Sequence, residues 1–208
     1  MPPLYFSWLI FISFIPLFIS LNSISRLPVL SDRIKKASVS GLVFSLVFIG
    51  FSNLWILELT PYSTVINIII LFFIFTLFQS LFYILCTVLF CAFQMPLIAF
   101  PFLWVICEWL RGCGPFASTH YVVGYSQALQ GPLLQYASIG GVYFVSLLCL
   151  LINVGLFIWL RSRLKFNSIR TLKKQHLLFP GVCILIIGIN LALYHVYPSN
   201  QVSESIKL

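Results

Sequence analysis

The chain has 208 residues, of which 61% are hydrophobic and only 8% are charged. Soluble globular proteins are about 45–50% apolar, so this composition excludes a soluble globule and predicts a membrane-embedded protein. The net charge of +8 does not indicate a nucleic-acid partner, because the basic residues form two short clusters between apolar runs. There they act as topology determinants and as contacts for anionic lipid.

The apolar runs are continuous rather than alternating, which predicts an all-α integral membrane protein instead of a barrel. Six runs are long enough to cross a bilayer, so we expect a six-span transmembrane helical bundle. In chain order the expected spans are residues 4–21, 39–57, 65–90, 93–110, 136–160 and 177–196. Residues 1–198 then form one transmembrane domain, and residues 199–208 form a short polar tail.

Charge asymmetry predicts the orientation of this bundle. The loop after the first expected span carries four basic residues and the loop after the fifth carries six, out of twelve in the chain. By the positive-inside rule both loops are cytoplasmic. Both termini and the loop of residues 108–135 are then expected on the non-cytoplasmic side of the membrane.

Neither the cysteines nor the histidines have the spacing of a metal site. The cysteines lack a CxxC pair and mostly lie in apolar runs, where a cysteine behaves as a small buried hydrophobe. We therefore expect no metal and no cofactor. The residues concerned are Cys86, Cys91, Cys107, Cys113, Cys149 and Cys183, with His120, His176 and His195.

Small and polar residues inside the expected spans predict helix contacts. The pairs Gly41/Ser45 and Ala137/Gly141 are spaced four residues apart, which favours close helix approach. We expect the isolated polar residues to face the bundle and to hydrogen-bond another helix. These are Asn67, Gln79, Asn153 and Asn190.

Glu108 and Arg111 form the strongest candidate site. They lie three residues apart at the end of the fourth apolar run, and a charge in hydrocarbon costs about 2.5–3.5 kcal/mol on insertion scales. One interpretation is therefore a functional site at the membrane rim. The other is an anchoring pair, in which Arg111 reaches lipid headgroups and Glu108 bonds it across one helical turn.

An ordered series of motifs carries a resemblance to a known family. Residues 104–112 read W-V-I-C-E-W-L-R-G, and are followed by Gly124-Tyr125-Ser126-Gln127, Gly131-Pro132-Leu133, Gly140-Gly141-Val142 and Asn153. This order resembles that of the apolipoprotein N-acyltransferases, bacterial inner-membrane enzymes that add the third acyl chain to lipoproteins. Weaker similarity extends over nearly the whole chain.

The resemblance implies a substrate class and a mechanism. Enzymes of this family move an acyl chain from a phospholipid to a cysteine thiol, and then to the α-amino group of an S-diacylglyceryl cysteine, which is nucleophilic covalent catalysis. Their catalytic Glu, Lys and Cys belong to a periplasmic nitrilase-like domain, whereas the membrane part docks the lipid substrates. The resemblance assigns the substrate cavity to Glu108, Trp109, Arg111, Gly124, Tyr125, Ser126 and Gln127.

Two departures from the family shape the functional expectation. The sequence ends at Leu208, about where the nitrilase-like domain would begin, so we expect no catalytic residue in this chain and a possible separately encoded partner domain. The family's Phe-Pro-Trp is replaced here by Ser118-Thr119-His120, which makes that loop less apolar. Cys113 has no defined orienting group, so we do not assign it as a nucleophile.

Two further interpretations stay open. One is a non-catalytic membrane scaffold or lipid-binding protein derived from a truncated acyltransferase. The other is a small transporter, which the sequence disfavours because its ionisable pair is expected at the rim rather than at mid-membrane.

Overall fold

The computed structural model describes residues 9–53, 56, 63–113, 117–128, 133 and 135–163. Every regular element in these residues is helical, and no strand occurs among them. The α-helices are α1 Ile15–Ile24, α2 Leu30–Ser52, α3 Val65–Ala92, α4 Phe100–Arg111 and α5 Ala137–Arg163, and two 3₁₀ helices cover Leu97–Ala99 and Val123–Gln127.

The chain divides into two compact units. The central unit is Ile15–Tyr121, with helices α1 to α4, and the terminal unit combines Met1–Phe14 with Val122–Leu208 and contains α5. Of the terminal unit, the structure describes residues 9–14, 122–128, 133 and 135–163.

Two of the described helices, α3 and α5, are long and apolar enough to cross a membrane. The 28 residues of α3 correspond to about 42 Å at 1.5 Å per residue, and the part of α5 from Val142 to Arg163, after its kink, corresponds to about 33 Å; both exceed the ~30 Å hydrocarbon core of a bilayer. Apolar side chains on α3 point outward, as Ile66 does at 70% exposure. Helices are thus confirmed at residues 65–90 and 136–160 within three residues at each end, and both are candidate membrane spans.

The fourth expected span, residues 93–110, is not one continuous helix. Pro96 is extended and precedes the 3₁₀ helix, and Pro101 lies in the first turn of α4, where its missing N–H costs no helical hydrogen bond. The remaining helix α4 has 12 residues, or about 18 Å. The prediction of one continuous helix over residues 93–110 is therefore wrong, whereas its crossing of the membrane stays a prediction.

Helix α2 begins at Leu30 instead of residue 39, so Arg33 belongs to a helix and not to a loop. Arg33 Nη1 donates to the carbonyl oxygens of Cys91 and Ala92 at 3.3 Å and 3.2 Å, which caps the C-terminus of α3. The start of α2 therefore lies beside the end of α3, and the two helices run antiparallel.

Other expectations fall on residues that the structure does not describe. These are residues 4–8 of the first span, the sixth span at 177–196 with Asn190, the tail at 199–208, and Cys183. The number of six spans and the orientation of the termini therefore stay predictions.

Glycine and polar residues show how the helices of the central unit pack. A Cβ on Gly41 would overlap Thr87 Oγ1 and lie 3.1 Å from the Cα of Ile84, so the predicted close approach of α2 to another helix is confirmed. Gln79 is buried as predicted. Asn67 is exposed, so its predicted contact with another helix is not found among the described residues.

The terminal unit is organised by α5, which is kinked at two glycines. Gly141 has φ +67° and ψ −168°, a conformation that is essentially restricted to glycine. Among the described residues, a Cβ there would have no neighbour within 4 Å, so the predicted close approach is not found there, and backbone conformation is what requires glycine. Further along, Asn153 Nδ2 donates to the carbonyls of Ile10 at 2.8 Å and Cys149 at 2.9 Å, which confirms its predicted buried contact.

Candidate functional site

Glu108 and Arg111 are both buried, at 0% and 1% exposure. They lie on one face of α4 together with the other buried residues of that helix, which are Phe100, Pro101, Trp104 and Cys107. This spacing of three and four residues is that of a single helical face. The anchoring interpretation is therefore wrong for Arg111, because a buried guanidinium does not reach lipid headgroups.

An indole N–H holds the Glu108 carboxylate. Trp104 Nε1 donates to Glu108 Oε1 at 3.0 Å, one turn earlier on α4. The Trp104 ring stacks on Tyr83, with 4.3 Å between ring centroids, and Phe44, Phe48 and Phe100 also contact it. The indole that donates to the carboxylate is thus held in place by packed aromatic rings.

Two tyrosine rings and one amide contact the Arg111 guanidinium. Its central carbon lies 5.5 Å from the ring centroids of both Tyr83 and Tyr121, within the range of cation–π attraction. Arg111 Nη1 donates to Gln79 Oε1 at 3.5 Å, which is long for a hydrogen bond. We call Gln79, Tyr83, Trp104, Glu108, Arg111 and Tyr121 the polar cluster.

The polar cluster lies near the middle of α3. Gln79 precedes Cys91, at the Arg33-capped end, by twelve residues, or about 18 Å along the helix. The other end of α3, at Val65, is about 21 Å away in the opposite direction. The position of the pair relative to the membrane rim stays a prediction.

Several buried donors of the polar cluster lack a hydrogen-bond acceptor within the described part of the chain. They are Arg111 Nε, Arg111 Nη2, Gln79 Nε2 and the Tyr83 hydroxyl. An unsatisfied buried donor costs about 1–3 kcal/mol. The cluster can therefore bind a ligand that brings acceptor oxygens.

The other predicted site residues lie in the terminal unit, on the 3₁₀ helix Val123–Gln127. The Gly124 amide donates to Ser146 Oγ at 2.8 Å, and a Cβ on Gly124 would overlap the carbonyl oxygen of Val142. Gln127 is buried and donates to Ser126 Oγ at 3.1 Å. Tyr125 is 48% exposed, so this segment presents an aromatic ring outward from a tightly held backbone.

The predicted residues thus fall into three groups. Glu108 and Arg111 share the polar cluster, and Gly124, Tyr125, Ser126 and Gln127 share the 3₁₀ helix. Trp109 is 55% exposed on the opposite face of α4 and is not part of the cluster. The sequence interpretation missed Tyr83, Tyr121 and Ser146; Tyr83 follows Gln79 by four residues on α3, and this helical spacing was the available signal.

The segment that departs from the family pattern adjoins the polar cluster. The Ser118 amide donates to the Arg111 carbonyl at 3.1 Å, and Ser118 is buried. Thr119 and His120 are exposed. Cys113 is also exposed, whereas Cys86, Cys91, Cys107 and Cys149 are buried as predicted.

No group of three or more potential metal-ligating side chains occurs among the residues that the structure describes.

Comparison with known proteins identifies a family. Residues 1–155 match the family model described as "Apolipoprotein N-acyltransferase N-terminal domain". The chain is 44% identical over 61 residues to an apolipoprotein N-acyltransferase of Nitrosomonas europaea, and these residues are 29% of this chain and 12% of that protein. It is 36% identical over 69 residues to an apolipoprotein N-acyltransferase of Chromobacterium violaceum, covering 33% of this chain and 13% of that protein. No solved structure matches the chain.

Proposed function

The chain belongs to the family of the apolipoprotein N-acyltransferase N-terminal domain, and from this premise we propose that it docks lipid substrates for acyl transfer in bacterial lipoprotein maturation. The substrates are a phospholipid acyl donor and a lipoprotein whose N-terminal cysteine carries an S-diacylglyceryl group. The proposed location is the bacterial inner membrane, with six spans and with the 108–135 loop and the C-terminus in the periplasm.

The polar cluster is the observation that carries this proposal. It puts a carboxylate, a guanidinium and several donors that lack an acceptor among the described residues inside a helical unit that exposes many large hydrophobic side chains. Ionisable residues in such surroundings are costly and are typical of functional sites. A lipid substrate suits both features, because its chains contact the apolar surface while its polar part reaches the cluster.

The covalent chemistry is proposed to come from a nitrilase-like partner domain on the periplasmic side, which supplies Glu, Lys and Cys. The site residues of this chain then bind and orient the substrates. Glu108 and Arg111 hold the polar part of a substrate, while Tyr125 on the 3₁₀ helix offers an exposed aromatic contact. Holding the two substrates in the correct orientation can by itself lower the activation barrier of acyl transfer substantially.

Co-expression tests the proposal. The chain is produced with and without a soluble nitrilase-like domain in bacteria depleted of their own N-acyltransferase, and lipoprotein N-termini are tested for blockage to sequencing. We expect blocked N-termini only with the pair, and loss of blockage with Glu108→Ala or Arg111→Ala. Free N-termini with the pair, at normal expression of both chains, would refute the proposal.

A non-catalytic lipid-binding scaffold is the second candidate. The exposed polar side chains of Thr119 and His120 favour it, because they replace apolar residues at a position where the family resemblance implies contact with lipid. The same experiment separates the two candidates, since a scaffold binds phospholipid but yields no blocked N-termini with any partner domain.

A further inference from the structure

Two sets of hydrogen bonds hold the connection between α1 and α2 against the end of α3. Gln94 Nε2 donates to the Ser25 carbonyl at 3.0 Å, and Arg33 Nη1 donates to the carbonyls of Cys91 and Ala92. The connection, the first turns of α2 and the end of α3 therefore form one surface of the central unit. Because α3 is a candidate membrane span, we expect this surface at the depth of the lipid headgroups.

This surface carries an excess of positive charge. Arg26, Lys35 and Lys36 are exposed there, against one exposed acid, Asp32. Three cations and one carboxylate leave a local excess of two positive charges. The structure removes Arg33 from the basic residues that can contact a ligand, because its guanidinium is directed at backbone carbonyls of α3. We call Arg26, Lys35 and Lys36 the basic end.

An apolar stripe continues from the two lysines along α2. Residues three or four apart share one face of a helix, so Lys35 and Lys36 lie on the same face as Val39, Val43 and Val47. These valines are exposed at 61%, 57% and 57%, and we call them the valine stripe. The stripe is about 12 Å long at 1.5 Å per residue. Cations at one end of an exposed apolar face suit an anionic lipid, because its phosphate and its acyl chain meet both parts together.

We propose that the basic end and the valine stripe bind an anionic phospholipid that is not a substrate. The phosphate accepts hydrogen bonds from the ammonium groups of Lys35 and Lys36, Arg26 adds electrostatic attraction, and one acyl chain lies along the valine stripe. A free phosphate ion or a soluble acidic peptide suits this surface less, since neither covers the valines. The site is separate from the polar cluster, because the end of α3 lies about 18 Å from Gln79 along that helix, and it does not depend on the proposed function.

Lipid affinity tests the site with the full chain purified in a neutral detergent. Native mass spectrometry measures the binding of phosphatidylglycerol, phosphatidylethanolamine and diacylglycerol with the same acyl chains. We expect phosphatidylglycerol, which carries a net negative charge, to bind about tenfold or more tightly than the other two lipids. This preference should shrink at high salt, because exposed charges are screened. Equal binding of phosphatidylglycerol and phosphatidylethanolamine at low salt would overturn the proposal.

Two double variants with the same change of charge locate the binding. Lys35→Gln/Lys36→Gln removes two charges from the basic end, and we expect it to bind phosphatidylglycerol no more tightly than phosphatidylethanolamine. Arg161→Gln/Arg163→Gln removes two charges from the last turn of α5, where Arg163 lies over the Trp159 ring. This matched control should keep the preference. An equal loss in both double variants would indicate attraction by net charge alone and would overturn the site.

Two further measurements identify what the site recognises. Lys35→Arg/Lys36→Arg keeps both charges and should keep the preference for phosphatidylglycerol, whereas its loss would contradict recognition by charge. Inorganic phosphate and glycerophosphoglycerol carry the anion without acyl chains, and we expect neither to displace phosphatidylglycerol at a large molar excess. Displacement by either compound would overturn the assignment to a lipid. Thermal unfolding of each variant is measured alongside, and the lysine variants should unfold like the unmodified chain because both side chains are exposed.

Discussion

Replacing Gly124 by alanine tests whether the 3₁₀ helix depends on close contact with α5. The added Cβ would overlap the carbonyl oxygen of Val142 and would lie 2.9 Å from Val142 Cγ2 and 3.1 Å from the Ser146 nitrogen. Because the nearest atom belongs to the backbone, no side-chain rotation can relieve the overlap. The 3₁₀ helix must therefore move away from α5.

Two terms set the expected loss of stability. Overpacking of a close contact costs about 1–3 kcal/mol. Moving the segment also breaks the buried 2.8 Å hydrogen bond from the Gly124 amide to Ser146 Oγ, and leaving that N–H unsatisfied costs about 1–3 kcal/mol. The free energy of unfolding of the terminal unit should thus fall by about 2–6 kcal/mol, which is large against the 5–15 kcal/mol of a typical protein.

Ser146→Ala separates the two terms, because it removes the acceptor without adding volume and should cost only the hydrogen-bond part. Unfolding is followed in detergent by the protease-resistant fraction over a temperature series. Gly50→Ala is the control, since a Cβ there meets no atom of the described residues within 4 Å. Gly124→Ala as stable as the unmodified chain, or no less stable than Ser146→Ala, would refute the argument from close packing.

Three more predictions use the same unfolding assay. Gly41→Ala should destabilise the central unit by about 1–3 kcal/mol, because the new Cβ overlaps Thr87 Oγ1. Gly50→Ala on the same helix should be neutral or stabilising by up to about 1 kcal/mol. Equal effects of the two substitutions would contradict the helix contact at Gly41. Gly141→Ala should cost about 1–3 kcal/mol from backbone conformation alone, since φ is +67° and the added Cβ meets no atom of the described part of the chain. A neutral result would mean that the kink can straighten. Asn153→Leu should cost about 1–2 kcal/mol by removing its bonds to two carbonyls, and no change in the unfolding temperature would contradict this value.

The parts of the fold that the sequence predicted correctly are those governed by local composition. The apolar run that forms α3 begins at Val65 in both the expectation and the structure, because length and hydropathy suffice to define a membrane helix. The helix contacts of Gly41 and Gln79 were also predicted correctly, since a glycine inside an apolar helix typically allows close helix approach and an amide typically hydrogen-bonds another helix. The helix expected over residues 93–110 is shorter in the structure, because a proline can either kink a helix or end it. The local sequence around Pro96 and Pro101 does not determine which of the two occurs.

The candidate site was only partly predictable. Glu108 and Arg111 were identified because charges are rare in this chain, but their surroundings were not. Tyr83 lies on another helix and Tyr121 follows a non-helical segment, so no spacing along the chain relates them to Arg111. Their contacts with the guanidinium depend on how the helices pack.

The amino-acid sequence alone defined the membrane character of this protein, its helical class and its rare charges, because these follow from transfer free energies and from backbone hydrogen bonds that each segment satisfies by itself. It did not define which polar residues are buried. Asn67 and Gln79 are both amides in α3, yet the first is exposed and the second is fully buried. This difference in burial arises from the neighbouring helices, because α4 contacts α3 and places Arg111 within hydrogen-bond distance of Gln79.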